Sequence, residues 1–279
     1  MKFTSSLRAD HLALLAFAFV FTCNVQAQTA APPASRLTSP PESSIPTGPK
    51  GVAIQEGKKL LTETRQRLPN NVGNGLNCTN CHLAGGTVGN AGPWIGIWGV
   101  FPEYRSRSGK LISLQERVND CFERSMNGKA LAYNSVEMNN ILAYMQWLSS
   151  GVPTGVSVNG RGVGSMDRKL VPNAINGKQV YAAKCASCHG AEGLGLKAGA
   201  GYAFPPLWGK DSFNDGAGMA RTYTAAGFVK HNMPLGQGGS LSDQDALDVS
   251  EYFTHKPRPV YAAKAKDWPK GDKPKDARN

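Results

Sequence analysis

Two five-residue runs carry the most legible chemistry: Cys78-Thr79-Asn80-Cys81-His82 and Cys185-Ala186-Ser187-Cys188-His189. Each sets two thiols about one helical turn apart with an imidazole directly behind them. That spacing lets both sulfurs bond the vinyl carbons along one edge of a haem while the histidine meets the iron. The pair therefore predicts two covalently bound haem c groups, with Cys78, Cys81, Cys185 and Cys188 as thioethers and His82 and His189 as proximal iron ligands. One such run in a cytosolic chain also reads as a zinc or redox site; two behind an export signal leave that alternative little room.

Counting narrows the remaining ligands. The chain has 6 Cys and 5 His. Cys23 and His11 lie in an N-terminal segment expected to be removed, so Cys121 is left with no partner for an intramolecular disulfide. Only His231 and His255 remain, both near the C-terminus. For the second haem, Met233-Pro234 stands 44 residues after His189 in a Gly-rich run. Lys230 and His231 are near enough to compete: methionine would raise the haem's potential, whereas lysine or histidine would lower it. For the first haem the comparable position, 39 residues after His82, is Cys121. It falls in a helix expected over Ser113–Asn127, where Arg117, Cys121 and Ser125 share one face and Arg124 is one turn away. Nearby arginines favour the thiolate, the form that binds iron, and attract small anions. The alternative is an inert Cys121 with Met126 on the iron.

The elements that must position these groups repeat. Gly51–Leu68 reads as a helix with Ile54, Leu60 and Leu61 inward. Asn134-Ser135-Val136-Glu137 is a capping box opening a helix that places Met138, Ile141, Leu142, Met145 and Leu148 on one side. Gly151 and Pro153 end it. Asn173–Lys184 is a second leading helix, and Ser242 caps a last one with Ala246, Val249 and Phe253 inward. Helix, haem motif, loops and capped helix thus occur twice, an all-α chain of two tandem class I cytochrome c-type domains, each wrapped around one haem. Gly57 and Cys78 are 21 residues apart, whereas Gly177 and Cys185 are 8 apart. The expected division is a signal peptide (1–27), a Pro/Ser-rich arm (28–50), the first domain (51–151), a Gly-rich linker (152–170), the second domain (171–258) and a basic mobile tail (259–279).

Lys2 and Arg8, the short apolar run His11–Phe21 and Val25-Gln26-Ala27 make up the export signal, with maturation at Gln28 into the periplasm and no span left afterwards. An uncleaved anchor is the alternative; a lipoprotein through Cys23 fits poorly behind Phe21-Thr22. The formal charge is +11, and removal of Lys2, Arg8 and Asp10 with the signal leaves +10. A basic surface suits acidic redox partners or anionic substrates and, in an exported haem protein, not nucleic acid. With 279 residues, 32 Gly and 18 Pro, the chain suits small loop-rich domains completed by a cofactor.

The runs Phe101-Pro102-Glu103-Tyr104-Arg105-Ser106-Arg107-Ser108-Gly109 and Arg117-Val118-Asn119-Asp120-Cys121-Phe122-Glu123-Arg124-Ser125-Met126-Asn127-Gly128 resemble thiosulfate dehydrogenases of the dihaem cytochrome c type. The resemblance extends from about Gly51 to His255. It implies His82 and Cys121 on a catalytic first haem, His189 and Met233 on a second, Lys230 as an exchanging ligand there, and Arg107, Arg117 and Ser125 lining the substrate pocket. The implied reaction joins two thiosulfates into tetrathionate and passes two electrons through the second haem to a cytochrome c-type acceptor; the same fold run in reverse is a tetrathionate reductase. Cys121 then either bonds the sulfane sulfur or only tunes the haem. A non-catalytic dihaem electron-transfer cytochrome and a thiosulfate-conjugating sulfur-oxidation cytochrome are the rival readings.

Overall fold

The computed structural model describes Met1 and residues 34–278, so the rest of the expected signal peptide, with Cys23 and the cleavage site, and the start of the arm lie outside the described residues. In chain order the helices are α1 (Pro49–Thr62), α2 (Thr64–Arg67), α3 (Leu83–Gly86), α4 (Leu114–Asp120), α5 (Val136–Leu148), α6 (Ala174–Lys184), α7 (Ala186–His189), α8 (Thr222–Asn232) and α9 (Asp243–Thr254). Two antiparallel hairpins join them: β1 (Glu103–Arg105) with β2 (Lys110–Ile112), and β3 (Leu196–Ala198) with β4 (Gly201–Phe204). No described helix is long and apolar enough to cross a membrane.

Each domain contains a helix crossing whose closeness a glycine sets. A Cβ on Gly57 would lie 1.9 Å from the Asn140 carbonyl oxygen of α5, and one on Gly177 would lie 1.9 Å from the Asp248 carbonyl oxygen of α9. Tyr144 and Tyr252 follow one turn later at the same crossings, each with its Cβ 3.0 Å from the added carbon. Only glycine permits backbones this near, and the matched pairs are the duplication in three dimensions. Apolar spacing on α5 drives the first core: Met138, Ile141, Leu142, Met145 and Leu148 are all buried, each contributing about 1.5–3 kcal/mol. Tyr181, Trp208, Val229, Val249 and Phe253 form the second.

Several boundaries differ from the sequence expectation. The first helix breaks at Glu63, and the turn behind it presents the Thr64 hydroxyl, which accepts from Cys78 N at 3.1 Å. Ser135, not Asn134, caps α5, its hydroxyl accepting from Met138 N. Helix α8 is an addition to the sequence expectation, and it buries Ala225, Ala226, Phe228 and Val229 at helical spacing. The expected linker is instead a packed strap: Val158 is buried in the first core and Met166 packs on Ala226 and Leu247 of the second domain. Gly160 and Gly162 carbonyls accept from Asn90 N and Gly92 N, both at 2.7 Å.

The C-terminal segment is likewise not a mobile tail. Trp268 is buried, and its N–H donates to the Arg107 carbonyl at 2.7 Å. Asp267 takes a bidentate pair of bonds from Arg124 at 2.7 and 2.8 Å, with side-chain exposures of 11% for Arg124 and 6% for Asp267. Tyr261 stacks on the Arg124 guanidinium. A Lys/Pro composition hid these anchors because scattered residues carry the docking, Asp276 and Arg278 among them. Replacing Asp267 by alanine takes the bidentate partner from buried Arg124 and leaves it, for a carboxylate, only the more exposed Asp120 at 3.4 Å. The expected cost is about 3 kcal/mol, read as a lowered Tm of the holoprotein, whereas Lys275→Ala at an exposed position a few residues on should change it little.

Candidate haem sites and the Cys121 pocket

The helix carrying Cys121 starts with a reciprocal cap: Ser113 Oγ accepts from Glu116 N at 3.2 Å and Glu116 Oε2 accepts from Ser113 N at 2.9 Å. It then widens. Residues Cys121–Ser125 form a π-turn, closed by Met126 N donating to the Cys121 carbonyl at 2.9 Å. The second domain takes up the carbonyls this turn leaves over: Glu123 O accepts from Asn214 Nδ2 at 2.8 Å and Arg124 O from Asn214 N at 3.1 Å. Ser125 O accepts from Asn74 Nδ2 at 2.9 Å. A wide turn needs such partners, and single π-turns concentrate at functional sites.

Cys121 faces His82. The two side chains line the same two cavities, and Arg117 Nη1 donates to Cys121 Sγ at 3.1 Å. Burial pushes the Cys121 thiol up, but the Arg117 guanidinium and then the histidine more than reverse this and set it at about 7. Reciprocally, the Cys121 charge raises Arg117 above the ordinary arginine value. The imidazole is fixed from behind: His82 Nδ1 bonds the Gly92 carbonyl at 2.5 Å, and Trp94 stacks on the ring at 4.8 Å. A Cβ on Gly92 would lie 2.9 Å from that Nδ1.

Two cavities meet along the His82–Cys121 line, both bordered by Trp94, Val118 and Met145. One holds Cys78, Cys81, Leu61 and Leu76. The other, about 430 Å³, adds Ile97, Phe101 and Leu114 with Arg105, Arg117 and Arg161. In the second domain a cavity of about 240 Å³ is lined by Cys185, Cys188, His189, Met233, Phe204 and Phe253 among others. His189 Nδ1 bonds the Pro205 carbonyl at 2.8 Å, and burial pushes the ring's pKa down. Burial also drives the thiols of Cys78 and Cys81 up to about 12 and that of Cys185 to about 11.

These residues fit haem c. In each domain a histidine uses Nδ1 on a backbone carbonyl, which leaves Nε2 free to bind metal, and it does so beside two thiols and an apolar slot. Cys121 lines the first-domain cavities with His82, and Met233 and Met219 line the second-domain cavity with His189.

Other predicted site residues are placed differently. Arg107 is not at the Cys121 pocket. It sits past the end of β1, donates to the Gly216 carbonyl at 2.7 Å, lies 3.6 Å from Asp267 and stacks on Trp268. Ser125 borders the thioether-side cavity with Cys121 but not the arginine-lined one, because the π-turn adds a residue to the turn and rotates it off the Arg117 face. Met126 is buried core at the same thioether side. Lys230 turns away from the Met233 cavity, donating to the Leu241 carbonyl at 2.6 Å and pairing with Asp243 at 2.9 Å. Sequence reasoning missed Arg105 and Arg161. For Arg105 a signal existed, since strand alternation puts it on the same face as Glu103; Arg161 lies in a segment with no periodicity.

A family model described as SoxA/TsdA, cytochrome c domain, matches residues 70–154, and one described as cytochrome c oxidase, cbb3-type, subunit III, matches residues 172–253. The chain is 54% identical over 243 residues to a thiosulfate dehydrogenase of Psychrobacter arcticus, covering 87% of this chain and 74% of that one. It is 46% identical over 252 residues to a thiosulfate dehydrogenase of Allochromatium vinosum, covering 88% and 93%. A solved thiosulfate dehydrogenase (TsdBA) from Marichromatium purpuratum, in its as-isolated form, superposes with a TM-score of 0.75 at 36% identity. That match covers 80% of this chain and 50% of the other, so this chain spans half the length of the solved one. Identity at this level over nearly nine-tenths of the sequence, on two cytochrome c domains each with its own Cys-x-x-Cys-His site, means that the chain belongs to the thiosulfate dehydrogenase family.

Proposed function

We propose that this protein oxidises two thiosulfate ions to tetrathionate at a haem held between His82 and Cys121, and releases the two electrons through a second haem held by His189 and Met233. The observation that carries this reading is the Cys121 thiol facing His82 with Arg117 at 3.1 Å. A plain electron carrier has no use for a thiol and a buried guanidinium at that position. When bound, each haem c supplies a one-electron acceptor, so two of them match a two-electron oxidation.

The protein's own groups account for the rest. Two dianions repel, and Arg117 supplies positive charge where they meet, in a partly dry cavity where such charge counts most. Cys121 acts as the nucleophile, giving up its place as a haem ligand to do so. Its thiolate and the sulfane sulfur of one thiosulfate form an S–S bond, giving Cys–S–S–SO₃⁻ and two electrons. A second thiosulfate attacks the sulfane sulfur, tetrathionate leaves, and the Cys121 thiolate is restored. Atoms and charge balance in both steps. Leu76 and Cys81 line both the thioether-side cavity and the Met233 cavity, which supports an electron exit on the second-domain side. The basic balance of the chain suits an acidic cytochrome c-type acceptor, and the N-terminal signal pattern supports a periplasmic setting.

Purified holoprotein, thiosulfate and an artificial electron acceptor test the proposal. One tetrathionate per two thiosulfates and two electrons is expected. Electron exchange without thiosulfate turnover would make it a plain electron carrier. Thiosulfate consumed only when a carrier thiol is added would make it a conjugating enzyme.

A further inference from the structure

We propose that Arg105 and Arg161, joined through Glu103, seat the two propionate carboxylates of the first haem; this deepens the ligation reading above and rests on it. The argument starts from the two cavities that meet at the His82–Cys121 line. One carries the thioether cysteines Cys78 and Cys81, and the other carries Arg105 and Arg161. A haem fixed through its vinyl carbons points its propionates to the opposite edge. With the iron on the line shared by both cavities, that edge enters the arginine-lined one.

The arginines are built to receive two carboxylates. Arg105 Nη1 donates to Glu103 Oε2 at 2.9 Å, and Arg161 Nη2 donates to Glu103 Oε1 at 2.8 Å. One carboxylate thus spaces two guanidiniums, each with five N–H donors, and these bonds use one from each. Burial pushes the Glu103 carboxyl up, but the bonds from Arg161 and Arg105 outweigh it and hold the group below its ordinary value, so the trio carries +1. Neither arginine floats. Glu103 and Arg105 share the inner face of β1, while Tyr104 between them is exposed. Arg161 lies between Gly160 and Gly162, whose carbonyls accept from Asn90 N and Gly92 N. The same Gly92 holds His82 through its own carbonyl, so Arg161 and the proximal histidine are referenced to one loop.

The test uses holoprotein without thiosulfate and follows each haem's midpoint potential by spectroelectrochemistry from pH 5 to 8. Arg161→Gln and Arg105→Gln remove positive charge beside the haem. They should shift the first haem toward the ferric form, changing its ferric-to-ferrous ratio at fixed applied potential by on the order of fivefold. Glu103→Gln removes negative charge and should shift it the other way. Arg161→Gln should also steepen the pH dependence, because a propionate without its cation titrates at higher pH. Arg161→Lys should restore most of the shift, and the second haem should not move. Opposite signs from neighbouring substitutions are not produced by loose folding. Three unmoved potentials combined with a raised KM for thiosulfate would overturn the proposal and assign the arginines to substrate. Wild-type EPR without a thiolate-ligated signal would instead overturn the ligation reading, whatever the arginine variants do.

Discussion

Cys121→Ala is expected to lower tetrathionate formation by about a thousandfold or more, the scale seen when a nucleophile is removed from a preorganised site. Three features hold the thiol in place. The π-turn aims it at His82, Arg117 bonds it at 3.1 Å, and Asn214 from the second domain takes the Glu123 and Arg124 groups that anchor the turn. The core beneath does not depend on the sulfur: Val118, Phe122 and Met126 are buried whether or not it is present. The variant should therefore fold and carry both haems. Low-temperature EPR should lose the narrow g-spread of thiolate-ligated low-spin iron while the signal of the second haem persists. Near-normal tetrathionate formation by Cys121→Ala would rule out both the nucleophilic and the tuning role.

Arg117→Ala should be the next most damaging change, lowering kcat/KM about a hundredfold, the effect of removing one well-placed donor from an anionic transition state. Two losses combine. Cys121 loses the cation that holds it as thiolate, and the paired dianions lose the positive charge nearest the reacting sulfur. Arg117→Lys keeps the charge but not the planar fork, and should recover part of the rate. Measuring kcat and KM separately divides the roles: a fall confined to kcat assigns Arg117 to the thiol, and a rise in KM assigns it to the substrate. Arg107→Ala should leave both nearly intact apart from lost stability, since Arg107 is committed to Gly216, Asp267 and Trp268. Arginines ten residues apart in the sequence thus separate into a chemical and a structural role.

Residue type and spacing alone mark both haem sites, because covalent attachment needs two thiols at one separation with the histidine adjacent. The helix crossings are legible in part: Met138, Ile141 and Met145 fall inward at helical spacing, and Gly57 and Gly177 mark equivalent places in the two copies. What escapes is whatever depends on where a side chain points after an irregular turn. A continuous helix would put Ser125 on the Arg117 face, and one inserted residue in the π-turn moves it to the thioether side. Lys230 is three residues from Met233, yet the Leu241 carbonyl and Asp243 bind its ammonium elsewhere.

Residue types and counts alone mark two Cys-x-x-Cys-His haem motifs, each with its own histidine, and leave Cys121 without a disulfide partner among the described residues. Those are matters of valence and counting, and they hold in any fold. Only the folded chain shows that Arg117 bonds the Cys121 thiol, that Met233 and not Lys230 lines the His189 cavity, and that the basic C-terminal segment is fastened rather than free. Each of these is a competition between partners distant in sequence. Arg124 meets Asp267 across 143 residues, and only the packed chain sets the distances at which one partner wins.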